Sequence, residues 1–308
     1  MSRFQLSVVM YHYVRDLNDR RFPHLKACSL KRFENQLDYL VVHYRMISWL
    51  TLRDYLQKNT PLPERACLLT FDDGLRDGYC NVYPRLRSRG LSGLFFPLAR
   101  VPEDGLAPVH LLQLLVAHLG EEKLRAALFS EFSPAERARF DECYTRCLKE
   151  YPTDRFGEVS LRTLRRVITI FMQDELSPML GRIFEREIGD HKEFSESFYI
   201  GDDDIVEMAA GGMHFGGHGV DHLRLRKELA YDRKEREIEQ SAAFLKEKAG
   251  EGPWAFSYAY GDYDKTTVWP LLERHGFVAA FGVTDGFEHS HPYAINRVDT
   301  VCLPPATL

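Results

Sequence analysis

Two short segments of this chain carry residue types that can share one reaction. In Leu68-Leu69-Thr70-Phe71-Asp72-Asp73-Gly74 an apolar run ends in adjacent carboxylates and a glycine. Neighbouring strand residues point to opposite faces, so Asp72 and Asp73 can serve one site only where the strand runs out into a loop. Gly74 supplies the backbone freedom for that exit. Two acids at the mouth of a buried strand are costly unless something uses them. The competing explanation is an N-cap, with either acid capping a helix that starts near Leu75. In Gly216-Gly217-His218-Gly219-Val220-Asp221-His222 two histidines stand four apart. On one face of a helical turn they can bring both imidazoles to one ion. His-x-x-x-His alone is a weak signal, and Gly219 in place of glutamate excludes the zinc-protease pattern. Together the segments say more. One carboxylate and two imidazoles make a three-ligand set with positions left for water and substrate. The second carboxylate, beside the ion and not on it, is then placed to deprotonate water. That division of labour suits metal-assisted hydrolysis of an amide or ester.

The elements that must position these groups read as alternating strands and helices. Leu6–Tyr11 is a buried strand, and Ser29 caps a helix with Leu30, Phe33, Leu37 and Leu40 on one face. Met46–Ser48 is strand-like, and Thr51 with Asp54 forms a capping-box variant that opens a short helix. Ala66–Phe71 is the strand that ends in the acids. It is followed by a helix over Leu75–Arg89, stopped by Gly90, and a strand within Leu91–Leu98. Residues 18–26 read as loop. The alternation implies βαβ units and a parallel sheet or barrel. It breaks near Val101. A helical insertion subdomain is expected over residues 104–199, either a decoration or a lid over one rim of the α/β body, which comprises residues 1–103 and 200–308. Strands are expected again at Met213–Phe215, Ala255–Tyr258, Val278–Phe281 and Asn296–Val301, and helices over Leu229–Ala249 and Lys265–His275.

The motifs resemble those of the polysaccharide deacetylases of NodB-homology, or carbohydrate esterase 4, type. Thr70-Phe71-Asp72-Asp73-Gly74 matches the first motif at every position, and His218 with His222 matches the second. Phe256-Ser257-Tyr258-Ala259-Tyr260-Gly261 falls where the third belongs. The opening Val9-Met10-Tyr11-His12-Tyr13 and Phe95-Phe96 look like members of the group as well. The resemblance covers residues 4–100 and 200–302. It implies a distorted, incomplete (β/α) barrel of about seven strands that removes N-acetyl or N-formyl groups from amino sugars. Asp72 would be the general base, and Asp73, His218 and His222 would bind one divalent metal, zinc or another first-row ion. The Tyr260 backbone N–H would help stabilise the oxyanion.

Three departures bear on activity. Gly219 stands where Ser or Thr is usual, so a hydrogen bond that supports the loop is expected to be lost. Ser257-Tyr258-Ala259-Tyr260 replaces Arg-x-Pro-Tyr, so the arginine that usually orients the base is missing there. Arg297 is the candidate to supply that charge from the last strand and to line the substrate site, or else it is a surface arginine. The late general-acid histidine has no clean match: His289 and His291 lie in an apparently exposed loop. His12 is either a substrate-site residue or a satisfied core histidine, and His214 reads as structural.

Composition narrows the class. The chain has 308 residues, 44% hydrophobic and 28% charged, with net charge −5, which describes an ordinary globule and not a nucleic-acid binder. No signal peptide or membrane-length apolar run is visible, and the six cysteines form no C-x-x-C pair. Cys143 and Cys147, four apart on a helix, are a weak metal signal. The expectation is a cytoplasmic enzyme acting on a nucleotide-sugar or lipid-linked precursor of a surface polysaccharide. The alternative is a catalytically lapsed relative that binds glycan or acts as a scaffold. Oligomeric state is left open.

Overall fold

The computed structural model describes residues 6–100, 104–151, 159–283 and 291–303. Among these, eight strands run in chain order: β1 (Leu6–Tyr11), β2 (Arg45–Met46), β3 (Ala66–Asp73), β4 (Leu94–Pro97), β5 (His214–Phe215), β6 (Trp254–Ser257), β7 (Phe277–Phe281) and β8 (Val298–Asp299). All pairings between them are parallel, in the order β5-β4-β3-β1-β8 with β2 beside β3, and β6 beside β7 as a second sheet. β1 and β3 are buried at every position, as a sheet covered on both faces requires.

The two sheets are parts of one curled wall. Single bridges join Gly217 to Phe256 and Phe281 to Ile295, one at each seam. Leu6, Val8, Leu68, Phe96, Ala255, Ala279 and Phe281 share one buried cluster. A cluster shared by β1, β3, β4, β6 and β7 places these strands around one interior. The alternate residues Val9, Tyr11, Leu69, Phe71 and Phe95 pack outward on helices, including Phe33 and Leu37 of α1 (Leu30–His43). The result is an incomplete (β/α) barrel with weak seams.

The chain divides into two compact units. The first is Met1–Leu17, Ala27–Arg100 and Glu196–Leu308, and holds every strand named above. The second is Asn18–Lys26 with Val101–Ser195. The 18–26 stretch, expected as a plain loop of the α/β body, therefore joins the helical unit, where the His24 N–H donates to the Ala117 carbonyl. After α2 (Trp49–Lys58) and α3 (Tyr83–Ser88) come α4 (Pro108–Leu119), α5 (Glu121–Glu131), α6 (Pro134–Glu150), α7 (Val159–Arg166), α8 (Gln173–Glu187) and α9 (His191–Phe198). In α6, Ser133 and Glu136 form a full capping box with Pro134 at the first turn. The first unit then continues with α10 (Asp202–Ala210), α11 (Tyr231–Ala249) and α12 (Lys265–Arg274).

Two local expectations are corrected. α2 begins at Trp49, capped by Ser48, whose hydroxyl accepts from the Thr51 N–H; the Thr51–Asp54 pair does not open it. The segment after Gly74 does not enter a helix at once. Leu75 bridges Tyr199, and Arg76 donates its N–H to the Phe198 carbonyl. These bonds spend the first turn on a strand-like contact, and helical structure starts at Gly78 as a π-turn. Neither Asp72 nor Asp73 is therefore a cap.

Candidate active site

β3 delivers both acids, and a break in its backbone lets them share a site. Asp73 lies at φ 73° and Gly74 at φ 63°, so the regular alternation ends at Asp73. A Cβ on Gly74 would approach Pro97 Cα to 2.7 Å, so glycine is needed there for space as well as conformation. His222 (φ 55°) and Tyr260 (φ 58°) are also left-handed. Three non-glycine residues in that sparse region, gathered in one site, mark a constellation held by its surroundings.

The two histidines converge, but not on a helix. Residues 216–222 form an irregular loop that turns at Gly219 (φ 83°) and His222. In it the His218 and His222 rings stand edge to face, 4.8 Å apart. Both Nε2 atoms point at the same oxygen, Asp73 Oδ1, at 3.2 and 3.4 Å. One donor atom from each of Asp73, His218 and His222 lies within 4.8 Å of the others, and all three residues are buried. His218 Nδ1 contacts the Ser257 carbonyl at 2.8 Å, an acceptor only, so that nitrogen must carry the proton and Nε2 presents its lone pair toward Asp73. A lone pair facing a carboxylate calls for a positive charge between them. Burial works against a proton on His218, yet the Asp73 hydrogen bond and the Asp72 and Asp73 charges outweigh it and raise its pKa. A divalent ion meets the same need with a donor set that suits zinc or another first-row metal. The residues fit the group. Among the described residues this is the only cluster of three or more potential ligands, so Cys143 and Cys147 acquire no metal site.

Asp72 is built differently. Arg297, fully buried, donates from Nη1 to Asp72 Oδ1 and from Nη2 to Oδ2, both at 2.7 Å. The same guanidinium reaches the Gly282 carbonyl (2.8 Å), Thr70 Oγ1 (3.3 Å) and Ser257 Oγ (2.9 Å), the last of which donates to Asp72 Oδ2. Burial pushes the Asp72 pKa up, but Arg297 and His218 outweigh it and hold the carboxyl below the usual aspartate value. Arg297 is thus neither a surface arginine nor a substrate contact. It enters from the seam between β7 and β8 and fixes the orientation and charge of Asp72.

His12, at the end of β1, is not a core histidine. Its side chain is 39% exposed, and Nε2 lies 3.9 Å from Asp72 Oδ2. The Tyr260 ring packs edge-to-face with His222 at 4.6 Å and carries the Arg224 guanidinium over its face at 3.9 Å. His291 is stacked on Trp269 at 4.1 Å, and His289 lies outside the described residues. His214 is partly buried, and burial lowers its pKa.

Three residues with a part in the site escaped the sequence reading. Ser257 contributes both its carbonyl, to His218, and its hydroxyl, to Asp72; its signal is a single polar residue within the apolar Trp254-Ala255-Phe256-Ser257-Tyr258. Glu237 and Ser241 of α11 hold the histidine loop; their signal is polarity on the buried face of Ile238, Ala242 and Leu245. The hydrogen bond expected to be lost at Gly219 is therefore replaced from another element.

An incomplete parallel (β/α) barrel thus carries a carboxylate–histidine–histidine cluster beside a second, arginine-clamped carboxylate. The polysaccharide deacetylase family model matches residues 167–298, which supports the resemblance over the histidine and third-motif segments and leaves Thr70–Gly74 outside the match. Poly-β-1,6-N-acetyl-D-glucosamine N-deacetylase of Escherichia coli (strain K12) is 33% identical over 82 residues, 26% of this chain and 12% of that protein. YxkH of Bacillus subtilis (strain 168) is 29% identical over 99 residues, 31% of this chain. The alignments thus span a third or less of these relatives' own length. In fold, the chain is similar to the Streptococcus pyogenes deacetylase PplD, at TM-score 0.60 and 14% identity over 97% of this chain and 93% of that one. IcaB from Ammonifex degensii follows at TM-score 0.55 and 21% identity, over 96% and 91%.

Proposed function

We propose that this chain hydrolyses the N-acetyl, or N-formyl, amide of an amino sugar, releasing the carboxylate and a free amine. The observation that carries the reading is the pair of adjacent acids in two environments. Asp73 faces two imidazoles, while Asp72 is kept ionised by Arg297 and can accept a proton. A divalent ion held by Asp73, His218 and His222 would supply a Lewis acid that polarises the amide carbonyl and acidifies water. Asp72 takes the proton of the attacking water as it adds to the carbonyl. The Tyr260 backbone N–H is the candidate donor to the oxyanion. When the C–N bond breaks, the amine needs a proton, and the partly exposed His12 beside Asp72 is the candidate to deliver it. The rival reading, a catalytically lapsed relative, needs a missing arginine and a missing acid; Arg297 beside Asp72 argues against the first, and His12 is our candidate for the second.

The similarity to a poly-β-1,6-N-acetyl-D-glucosamine deacetylase supports an N-acetylglucosamine-type substrate within surface polysaccharide biosynthesis. Among the described residues no helix is long and apolar enough to cross a membrane. The finer reading is a cytoplasmic activity on a nucleotide-linked or lipid-linked precursor. The test is acetate release by metal-loaded protein from N-acetylglucosamine oligosaccharides and from a nucleotide-linked N-acetylhexosamine, with Asp72→Asn alongside. Loss of a well-placed general base lowers kcat by about 10²–10⁴. Equal release from both proteins, or none from either, removes the assignment. Release from the oligosaccharide alone removes the precursor reading.

A further inference from the structure

The loop that carries His218 and His222 has almost no regular structure of its own. It leaves the barrel after the Gly217–Phe256 bridge and turns through two left-handed residues. Such a loop would bury several amides without partners, which folded proteins avoid. Here α11 supplies the partners. Glu237 Oε2 accepts from Val220 N–H at 2.9 Å, Asp221 N–H at 3.2 Å and Leu223 N–H at 3.5 Å, and Oε1 accepts from Asp221 N–H at 3.1 Å. One turn on, Ser241 Oγ accepts from Gly219 N–H at 3.0 Å and donates back to the Gly219 carbonyl at 3.4 Å. Glu237 and Ser241 are each only 1% exposed. Two side chains on one helical face thus gather the amides of residues 219, 220, 221 and 223, the stretch between and just beyond the two imidazoles.

Residue 219 is tied to the same device. A Cβ on Gly219 would lie 2.4 Å from Glu237 Oε2, and the φ of 83° already disfavours any side chain. A side chain in this position would push the Glu237 carboxylate off the amides it accepts from.

We infer that Glu237 and Ser241 are positioning residues for the His218–His222 pair, and that Gly219 is required because Glu237 occupies the space a side chain there would need. The inference rests on the metal-site reading above. The support comes from α11 instead of from within the motif, so the angle between the two imidazoles is set by the packing of that helix. Mutation of outer-shell groups of this kind typically costs about 10- to 100-fold in metal affinity.

The test reads metal binding, not turnover. Chelator-treated protein is titrated with Co²⁺, and the dissociation constant and visible spectrum are recorded for wild type, Glu237→Gln, Ser241→Ala and Gly219→Ala, with the exposed Glu239→Gln as control. Circular dichroism of each metal-free protein checks the fold. Glu237→Gln should weaken Co²⁺ binding by about 10- to 100-fold and change the spectrum. Ser241→Ala, the milder change, should move both in the same direction by less, and Glu239→Gln should move neither. Gly219→Ala should weaken binding less in a Glu237→Ala background than in wild type, because the clash is then gone. Wild-type affinity and spectrum in both Glu237→Gln and Ser241→Ala would overturn the inference, as would additive losses for the Gly219 and Glu237 pair. His218→Ala separates this failure from failure of the site itself. If it leaves Co²⁺ binding unchanged, the metal-site reading falls; if it abolishes binding while the α11 variants do not, only the positioning role falls.

Discussion

Replacing Arg297 with methionine tests the reading of Asp72 directly. The substitution keeps most of the apolar stem and removes the fork that makes two 2.7 Å bonds to Asp72 and one to the Gly282 carbonyl. Removing one partner of a buried ion pair is destabilising by about 3–5 kcal/mol, because the other charge is left uncompensated. Asp72 can escape by taking up a proton. For an aspartate of ordinary pKa that costs about 4 kcal/mol at pH 7, so the charge penalty saturates near that value. A chain of this size should lose about 2–4 °C in Tm per kcal/mol, or about 8–15 °C in all. The pH dependence has a definite sign. The folded Asp72 pKa lies below the ordinary value, so the stability it contributes is present above the unfolded pKa and lost as pH falls through the folded one. At pH 5 the protonation cost shrinks to about 1.5 kcal/mol, and the gap between wild type and Arg297→Met should narrow accordingly. Adding Asp72→Asn to Arg297→Met removes the stranded charge and should recover a good part of the lost Tm. Thermal unfolding of the three chelated proteins at pH 5 and pH 7 decides the matter. Equal Tm values for wild type and Arg297→Met, or a double variant no more stable than the single one, would refute the buried-pair argument.

Other outcomes follow from the same geometry. Chelation should abolish acetate release and a first-row divalent ion should restore it, whereas His222→Ala should bind less than one equivalent of metal at concentrations that saturate wild type, as read by elemental analysis. His12→Gln should lower kcat by about 10²–10³ if the histidine protonates the leaving amine, while Co²⁺ affinity stays within about threefold of wild type. An unchanged kcat with a raised KM would instead make His12 a substrate contact.

Much of the α/β body was legible in the sequence because its signals are local. Largely apolar runs such as Leu68–Phe71 announce buried parallel strands, and Ser29 and Ser133 announce helix starts through bonds made within one turn. The order of strands could not be read locally, nor could the passage of residues 18–26 into the helical unit, since both depend on what packs against what. The four-residue spacing of His218 and His222 suggested a helical turn, whereas the chain uses an irregular loop. Spacing along the chain cannot tell these apart when the bonds that fix the loop come from α11.

The sequence by itself offered most of the candidate groups: two adjacent acids at a strand end, two histidines near a later one, and an arginine just before the last strand. Residue type and order are enough for that, because only those side chains can bind an ion or move a proton. Tertiary structure alone decided the surroundings of each one. Asp72 and Asp73 have the same chemistry and differ only in their neighbours, Arg297 and Ser257 for one and two imidazoles for the other. Those neighbours lie up to 225 residues away along the chain, and the curling of the barrel wall brings them within hydrogen-bond reach. A carboxylate's charge state and task are set by the field around it, and that field exists only once the fold has formed.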